Sequence, residues 1–110
     1  AMTILETLGT EAVLEQLAEE ASELSQAALK LARKLRGVNP TPKTEQECWN
    51  ALLEEIADVQ VAEEQLQLKG SQDFAIEEMV RAKTRRWKQR LLAREENNDE
   101  STYPGKPENP

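Results

Sequence analysis

The fold is decided by the stretch TEAVLEQLAEEASELSQAALKLARKLRG, which covers residues 10–37. Thr10 belongs to the residue types that cap helix N-termini, and Gly37 to those that end helices. The stretch therefore predicts a helix from Glu11 to about Arg36. Its apolar residues recur at helical spacing and form one stripe, which consists of Val13, Leu14, Leu17, Ala21, Leu24, Ala28, Leu31 and Leu35.

The same signals predict two further long helices. Residues 44–47, Thr-Glu-Gln-Glu, form a capping-box sequence, and the helix that they open is expected to end at Gly70. Ser71 is expected to cap a third helix that reaches about Glu95. The inward residues of the second helix are predicted to be Cys48, Trp49, Leu52, Ile56, Val59 and Leu66. Those of the third are predicted to be Ile76, Val80, Trp87 and Leu91.

The remaining segments connect or end these helices. Residues 39–42, Asn-Pro-Thr-Pro, are predicted to form a loop because proline cannot continue a helix. Residues 2–8 are expected to form a short leading turn or helix, and residues 96–110 a disordered tail with little to bury. We therefore expect an all-α fold in residues 1–95, an antiparallel bundle of three long helices that is completed by oligomerisation.

Composition narrows the functional classes. The formal net charge of -7 over 110 residues argues against nucleic-acid binding by the whole surface, although half of the 14 cations lie between Arg81 and Arg94. The chain has no histidine, which excludes a Cys/His nucleophile and a Ser/His/Asp triad. Its single cysteine, Cys48, is expected in the core. No stretch resembles a signal peptide or a membrane span, so we expect a cytoplasmic protein with no membrane partner.

Two acidic motifs carry the chemical information. They are Glu19-Glu20-Ala21-Ser22-Glu23 and Glu55-Ile56-Ala57-Asp58, which together read EExxE and ExxD. In each, the i,i+3 carboxylates fall about 60° and 120° from the centre of the apolar stripe, at the edge of the core. Four converging carboxylates would need a cation, and an oxygen-only set suits Mg²⁺ or Mn²⁺. A solvated acidic face is the alternative, because such pairs arise readily in a glutamate-rich chain.

Three other charged positions follow from the same helical geometry. Lys83 and Arg86 have the matching offsets from Val80 on the third helix, so they could border the same pocket or form a basic face that complements the acidic helices. Glu63 falls about 20° from the Leu52 direction, inside the apolar stripe. We interpret it as a buried polar partner or an oligomer contact rather than a catalytic group.

The two motifs in their context resemble the MazG-like all-α NTP pyrophosphohydrolases. The matching segments, EEASELSQA at residues 19–27 and CWNALLEEIADV at residues 48–59, look like those of short phage-type or Firmicute-type members. The resemblance covers residues 10–92. It implies that a nucleoside triphosphate is cleaved between its α and β phosphates, giving a nucleoside monophosphate and pyrophosphate, with Mg²⁺ as cofactor.

The resemblance also assigns roles to residues. It implies that Glu20, Glu23, Glu55 and Asp58 are metal ligands and that Glu19 orients water or supports the ligands. On physical grounds rather than by resemblance, the cations expected to stabilise developing charge on the phosphates are Lys30, Lys34, Lys83 or Arg86. A homo-oligomer is expected, with a tetramer favoured over a dimer.

Three other readings remain open. A non-catalytic helical oligomerisation module would use the same apolar stripes and leave the acids solvated. A nucleic-acid binder would use the basic face at residues 81–94. A di-iron carboxylate bundle is disfavoured because such sites normally use ExxH motifs.

Overall fold

The computed structural model describes residues 2–38 and 42–97, and all of its regular elements are helices. They are α1 (Ile4–Leu8), α2 (Thr10–Arg36), α3 (Glu45–Glu64) and α4 (Gly70–Asn97). The all-α class and the three long helices are confirmed, and no strand occurs in the described ranges. Most of the predicted loop and of the predicted tail, residues 39–41 and 98–110, lies outside them, while Glu96 and Asn97 continue α4.

The start of α2 differs from the prediction in its capping residue. Thr10 is the first helical residue, and Gly9 is the N-cap with φ 89° and no side-chain cap. The chain breaks at Gly9 because this positive φ suits glycine. The short helix α1 before it has its own capping box between Thr3 and Glu6. At the other end, Gly37 ends α2 as predicted, and it does so in the left-handed conformation with φ 73°.

The start of α3 is as predicted. The Thr44 hydroxyl accepts a hydrogen bond of 3.1 Å from the Glu47 backbone N–H, and the Glu47 carboxylate accepts one of 2.8 Å from the Thr44 N–H. These reciprocal bonds satisfy two N–H groups that the first turn would otherwise leave unpaired.

The boundary between α3 and α4 was predicted wrongly. Helix α3 ends at Glu64, six residues before Gly70, and Gly70 begins α4. Gln67 adopts a positive φ of 52°, which no helix can continue. Ser71 therefore lies within the first turn of α4 rather than capping it, and the Gln72 side chain instead accepts a bond of 2.8 Å from the Lys69 N–H.

The chain divides into two compact units, residues 1–67 and residues 68–110. In the first, α2 and α3 pack against each other and α1 packs on α2. Their buried residues are Val13, Ala27, Leu31, Cys48 and Ala62. Small side chains at the helix contact let the two backbones approach closely.

Several predicted core residues are exposed in the single chain. Leu14 and Leu35 on α2 are 48% and 53% exposed, and Trp49 on α3 is 40% exposed. Glu63, expected inside the stripe of α3, is also exposed, because Ala62 and not Glu63 takes the inward position at the end of that helix.

Helix α4, taken by itself, has no buried residue over Gly70–Asn97. Its predicted stripe is exposed throughout, from 38% at Ile76 and Trp87 to 56% at Val80. Within the described residues, no helix is both long enough and apolar enough to span a bilayer.

Candidate metal centre

Helices α2 and α3 bring the two acidic motifs together. Glu20, Glu23, Glu55 and Asp58 each offer a carboxylate oxygen, and these four oxygens all lie within 4.8 Å of one another. The helices run antiparallel at this point, since one cleft pairs Ala27 of α2 with the start of α3 and another pairs Val13 with its end. Residues spaced i,i+3 on both helices can therefore meet as two facing pairs.

Two oxygens of this carboxylate cluster have no partner. The Oε2 atoms of Glu20 and Glu55 are inaccessible to solvent and receive no hydrogen bond within the described residues. The Oε1 atom of Glu20 differs, because the Gln16 amide donates a hydrogen bond of 2.7 Å to it. A buried carboxylate oxygen without a hydrogen-bond donor lowers the free energy of unfolding. In folded proteins such an oxygen is normally paired with an ion or a water molecule.

Glu23 responds electrostatically to its neighbours. The negative charge of Glu20 raises the pKa of the Glu23 carboxyl above its ordinary value. The charge of Glu55, partial desolvation and the charge of Glu19 act in the same direction. The repulsion within the cluster therefore makes Glu23 easier to protonate when no cation is bound. Glu19 itself is exposed and lies outside the set of four converging oxygens.

A polar cleft of about 420 Å³ adjoins the Glu23 and Glu55 side of the cluster. Lys30, one of the predicted phosphate-binding residues, lines it. So does Lys43, which the sequence reasoning missed. Lys43 immediately precedes the Thr44 cap, and antiparallel packing carries the start of α3 to the second half of α2. Lys34 is half-buried on α2 and does not line this cleft.

An apolar cleft of about 250 Å³ adjoins the Glu20 and Asp58 side. Its apolar walls come from all three helices of the first unit: Ile4 and Leu8 of α1, Val13 of α2, and Val61 and Ala62 of α3. Gln16 and Gln65 add two carboxamides to its lining. The carboxylate cluster thus lies between an apolar cleft and a lysine-lined one.

Lys83 and Arg86 belong to the second unit. Both are exposed on α4, three residues apart and therefore on one flank of that helix. Arg81 forms an ion pair with Glu78 one turn earlier. The role predicted for Lys83 and Arg86 at the phosphates stays a prediction.

Comparison of the chain with family models, with curated proteins and with solved structures found no match. The resemblance to the MazG-like enzymes therefore stays a prediction that rests on the motif residues.

Proposed function

We propose that this protein is a Mg²⁺-dependent nucleoside triphosphate pyrophosphohydrolase that cleaves its substrate to a nucleoside monophosphate and pyrophosphate. One observation carries the proposal. The unpaired Oε2 atoms of Glu20 and Glu55 belong to a four-carboxylate cluster whose oxygens lie within 4.8 Å of one another. A solvated acidic face would not bury two carboxylate oxygens without donors.

The donor set fits a hard divalent cation. All four groups are carboxylates, the ligand type that Mg²⁺ and Mn²⁺ prefer, and no histidine occurs anywhere in the chain. Glu20, Glu23, Glu55 and Asp58 would hold the metal, and four carboxylates exceed what one Mg²⁺ usually takes from a protein. When bound, such a cation neutralises phosphate charge and lowers the pKa of coordinated water.

The chain's own cations bind the polyphosphate in this proposal. Lys30 and Lys43 line the cleft next to Glu23 and Glu55, where they can hold the phosphates and stabilise negative charge as the anhydride breaks. Lys34, Lys83 and Arg86 are further candidates. Glu19, beside the cluster, is proposed to orient the attacking water. Direct hydrolysis suits a chain with no histidine to activate a protein nucleophile.

The position of the cut follows from the family resemblance, which places water attack at the α phosphate. The resemblance also supports a cytoplasmic homo-oligomer, a tetramer before a dimer, and a phage-related origin. The exposed apolar side chains of Leu14, Trp49 and Trp87 agree with burial against further subunits.

The experiment is a screen of all ribo- and deoxyribonucleoside triphosphates with Mg²⁺ or Mn²⁺, measuring pyrophosphate release. Glu20→Gln and Asp58→Asn should abolish release. Glu54→Gln is the matched control, because Glu54 is an exposed residue of α3 outside the cluster. Metal-dependent pyrophosphate release that is lost in the first two variants and kept in the control would support the proposal, and no release from any substrate would refute it.

A second candidate is a non-catalytic helical oligomerisation module. The exposed apolar side chains of α4, which include Phe74 and Leu92, favour it. A metal titration distinguishes the two functions. An oligomerisation module does not bind the cation at a specific site, so its Tm should not change when Mg²⁺ is added.

A further inference from the structure

The apolar cleft beside Glu20 and Asp58 has the size of a site for one flat ring system. Small-molecule pockets commonly enclose about 300–1,000 Å³, and this cleft encloses about 250 Å³. Two of its walls, Ile4 and Leu8, are 49% and 58% exposed. An uncovered apolar surface that adjoins a polar cluster is typical of a binding site.

The two carboxamide groups in the cleft, those of Gln16 and Gln65, each have a fixed orientation. The Gln16 amide nitrogen donates to Glu20 Oε1 over 2.7 Å, and the Gln65 amide nitrogen donates to the Val61 carbonyl over 3.1 Å. No hydrogen bond within the described residues reaches the Oε1 atom of either side chain. Turning either amide over would sacrifice its existing bond, so the cleft offers two hydrogen-bond acceptors.

We propose that this cleft binds the base of the substrate and selects bases that carry an exocyclic amino group. The inference deepens the proposed function and rests on it, since the base is that of the triphosphate to be hydrolysed. An amino group donates two hydrogens, which can satisfy the Oε1 atoms of Gln16 and Gln65. A ring carbonyl in the same place would bring its oxygen, another acceptor, next to these two Oε1 atoms and leave them without a donor.

The order of groups along α2 supports this placement. Gln16 comes first, the carboxylates Glu20 and Glu23 follow, and Lys30 comes last, about 21 Å from Gln16 at 1.5 Å of rise per residue. A nucleotide with its base between Gln16 and Gln65 therefore lies with its phosphates over the carboxylates and towards the lysines.

The test uses pairs of substrates that differ at one ring position, an amino group in dATP and dCTP against a carbonyl in dITP and dUTP. With Mg²⁺, kcat/KM should be at least about tenfold higher for each amino member, the cost of an unpaired acceptor. Gln65→Leu should lower both ratios severalfold, because it removes one of the two acceptors. Gln60→Leu is the matched control, since Gln60 is an exposed residue of α3 outside the cleft, and it should keep both ratios.

A second measurement does not depend on hydrolysis. Titration of the nitrogen-labelled, metal-free protein with dAMP should shift the backbone amide signals of Val13, Val61 and Ala62 more strongly than titration with dIMP. Leu8→Ser, at an exposed position, should weaken dAMP binding while the helical content by circular dichroism stays unchanged.

The outcomes separate this inference from the proposed function. Pyrophosphate release at equal kcat/KM for the amino and carbonyl members would overturn the base preference and leave the proposed function standing. With no release from any substrate, the amide shifts still decide whether the cleft binds amino-bearing bases. The inference would be overturned if neither nucleotide shifted the amide signals of the cleft residues. It would also be overturned if those signals changed only with protein concentration, because a second copy of the chain would then cover the cleft.

Discussion

Glu23 of α2 and Glu55 of α3 place carboxylate oxygens within 4.8 Å of each other across the helix pair. The negative charges of Glu20 and Glu55 raise the pKa of the Glu23 carboxyl above its ordinary value, so Glu23 takes up a proton more readily than an isolated glutamate. The proton and a divalent cation are therefore alternative ways to offset the charge of the cluster. This cluster, the capping of α3, the exposed apolar side chains and the proposed chemistry lead to five predictions.

Metal should stabilise the protein through the carboxylate cluster. We expect Mg²⁺ or Mn²⁺ to raise Tm, because a ligand that binds only the folded state shifts unfolding by mass action. Glu20→Gln and Asp58→Asn should remove this shift and keep the helical content by circular dichroism. Glu54→Gln should keep the shift. Equal metal stabilisation in all the variants would contradict the site.

The metal-free protein should lose stability as the pH rises through the pKa of Glu23. A carboxyl whose pKa is higher in the folded state binds its proton more tightly there, so its contribution is present below the ordinary carboxyl pKa and disappears above the raised one. Glu23→Gln should remove this part of the pH dependence of the urea midpoint. Above the raised pKa of Glu23, where this residue is charged and repelled by Glu20, the variant should be more stable than the unsubstituted protein. A pH profile that Glu23→Gln leaves unchanged would show that the proton is held elsewhere.

Capping should matter at α3 and not at the first residue of α2. Thr44→Ala breaks the capping box with Glu47 and should cost about 1 kcal/mol of unfolding free energy. Thr10→Ala is the matched control, because Thr10 already lies inside α2 and alanine is the better helix former. Chemical denaturation of both variants measures the difference, and an equal loss in the two would mean that Thr10 acts as a cap after all.

How far the sequence predicted this structure depended on whether the signals were local. The capping box at Thr44 and the helix stop at Gly37 could be predicted because each depends on residues a few positions away. The end of α3 could not, because no simple pattern marks a positive φ at Gln67, a residue type that rarely adopts it.

The same distinction applies to the candidate site. The spacing predicted that each acidic pair would lie at an edge of the core. It did not predict that these two edges would meet, because equal angular positions on two antiparallel helices do not make the positions face each other. That is a property of the packing of α2 on α3. Lys43 was missed for the same reason, since it lies in no helical pattern and reaches the cleft only through that packing.

Assembly should bury the exposed apolar side chains. Trp49 and Trp87 are 40% and 38% exposed in the single chain, and a chain of this size gains much by sharing a core between subunits. We expect light scattering to give the mass of a homo-oligomer, a tetramer rather than a dimer. Trp87→Glu should reduce the mass because it places a charge in the contact, whereas Lys88→Glu changes a charge at a neighbouring exposed position and should not. A stable monomer at micromolar concentration would refute the prediction.

The bond that is broken can be identified from the products and from isotopic labelling. If water attacks the α phosphate, oxygen from labelled water should enter the monophosphate, and pyrophosphate should be released intact in one step. An α,β-imido analogue should bind and resist cleavage, because its bridging nitrogen replaces the scissile oxygen, whereas a β,γ-imido analogue should still be cut. Orthophosphate as the first product, or label found only in pyrophosphate, would show that attack occurs at another phosphate, and the roles proposed for Lys30 and Lys43 would then have to be reassigned.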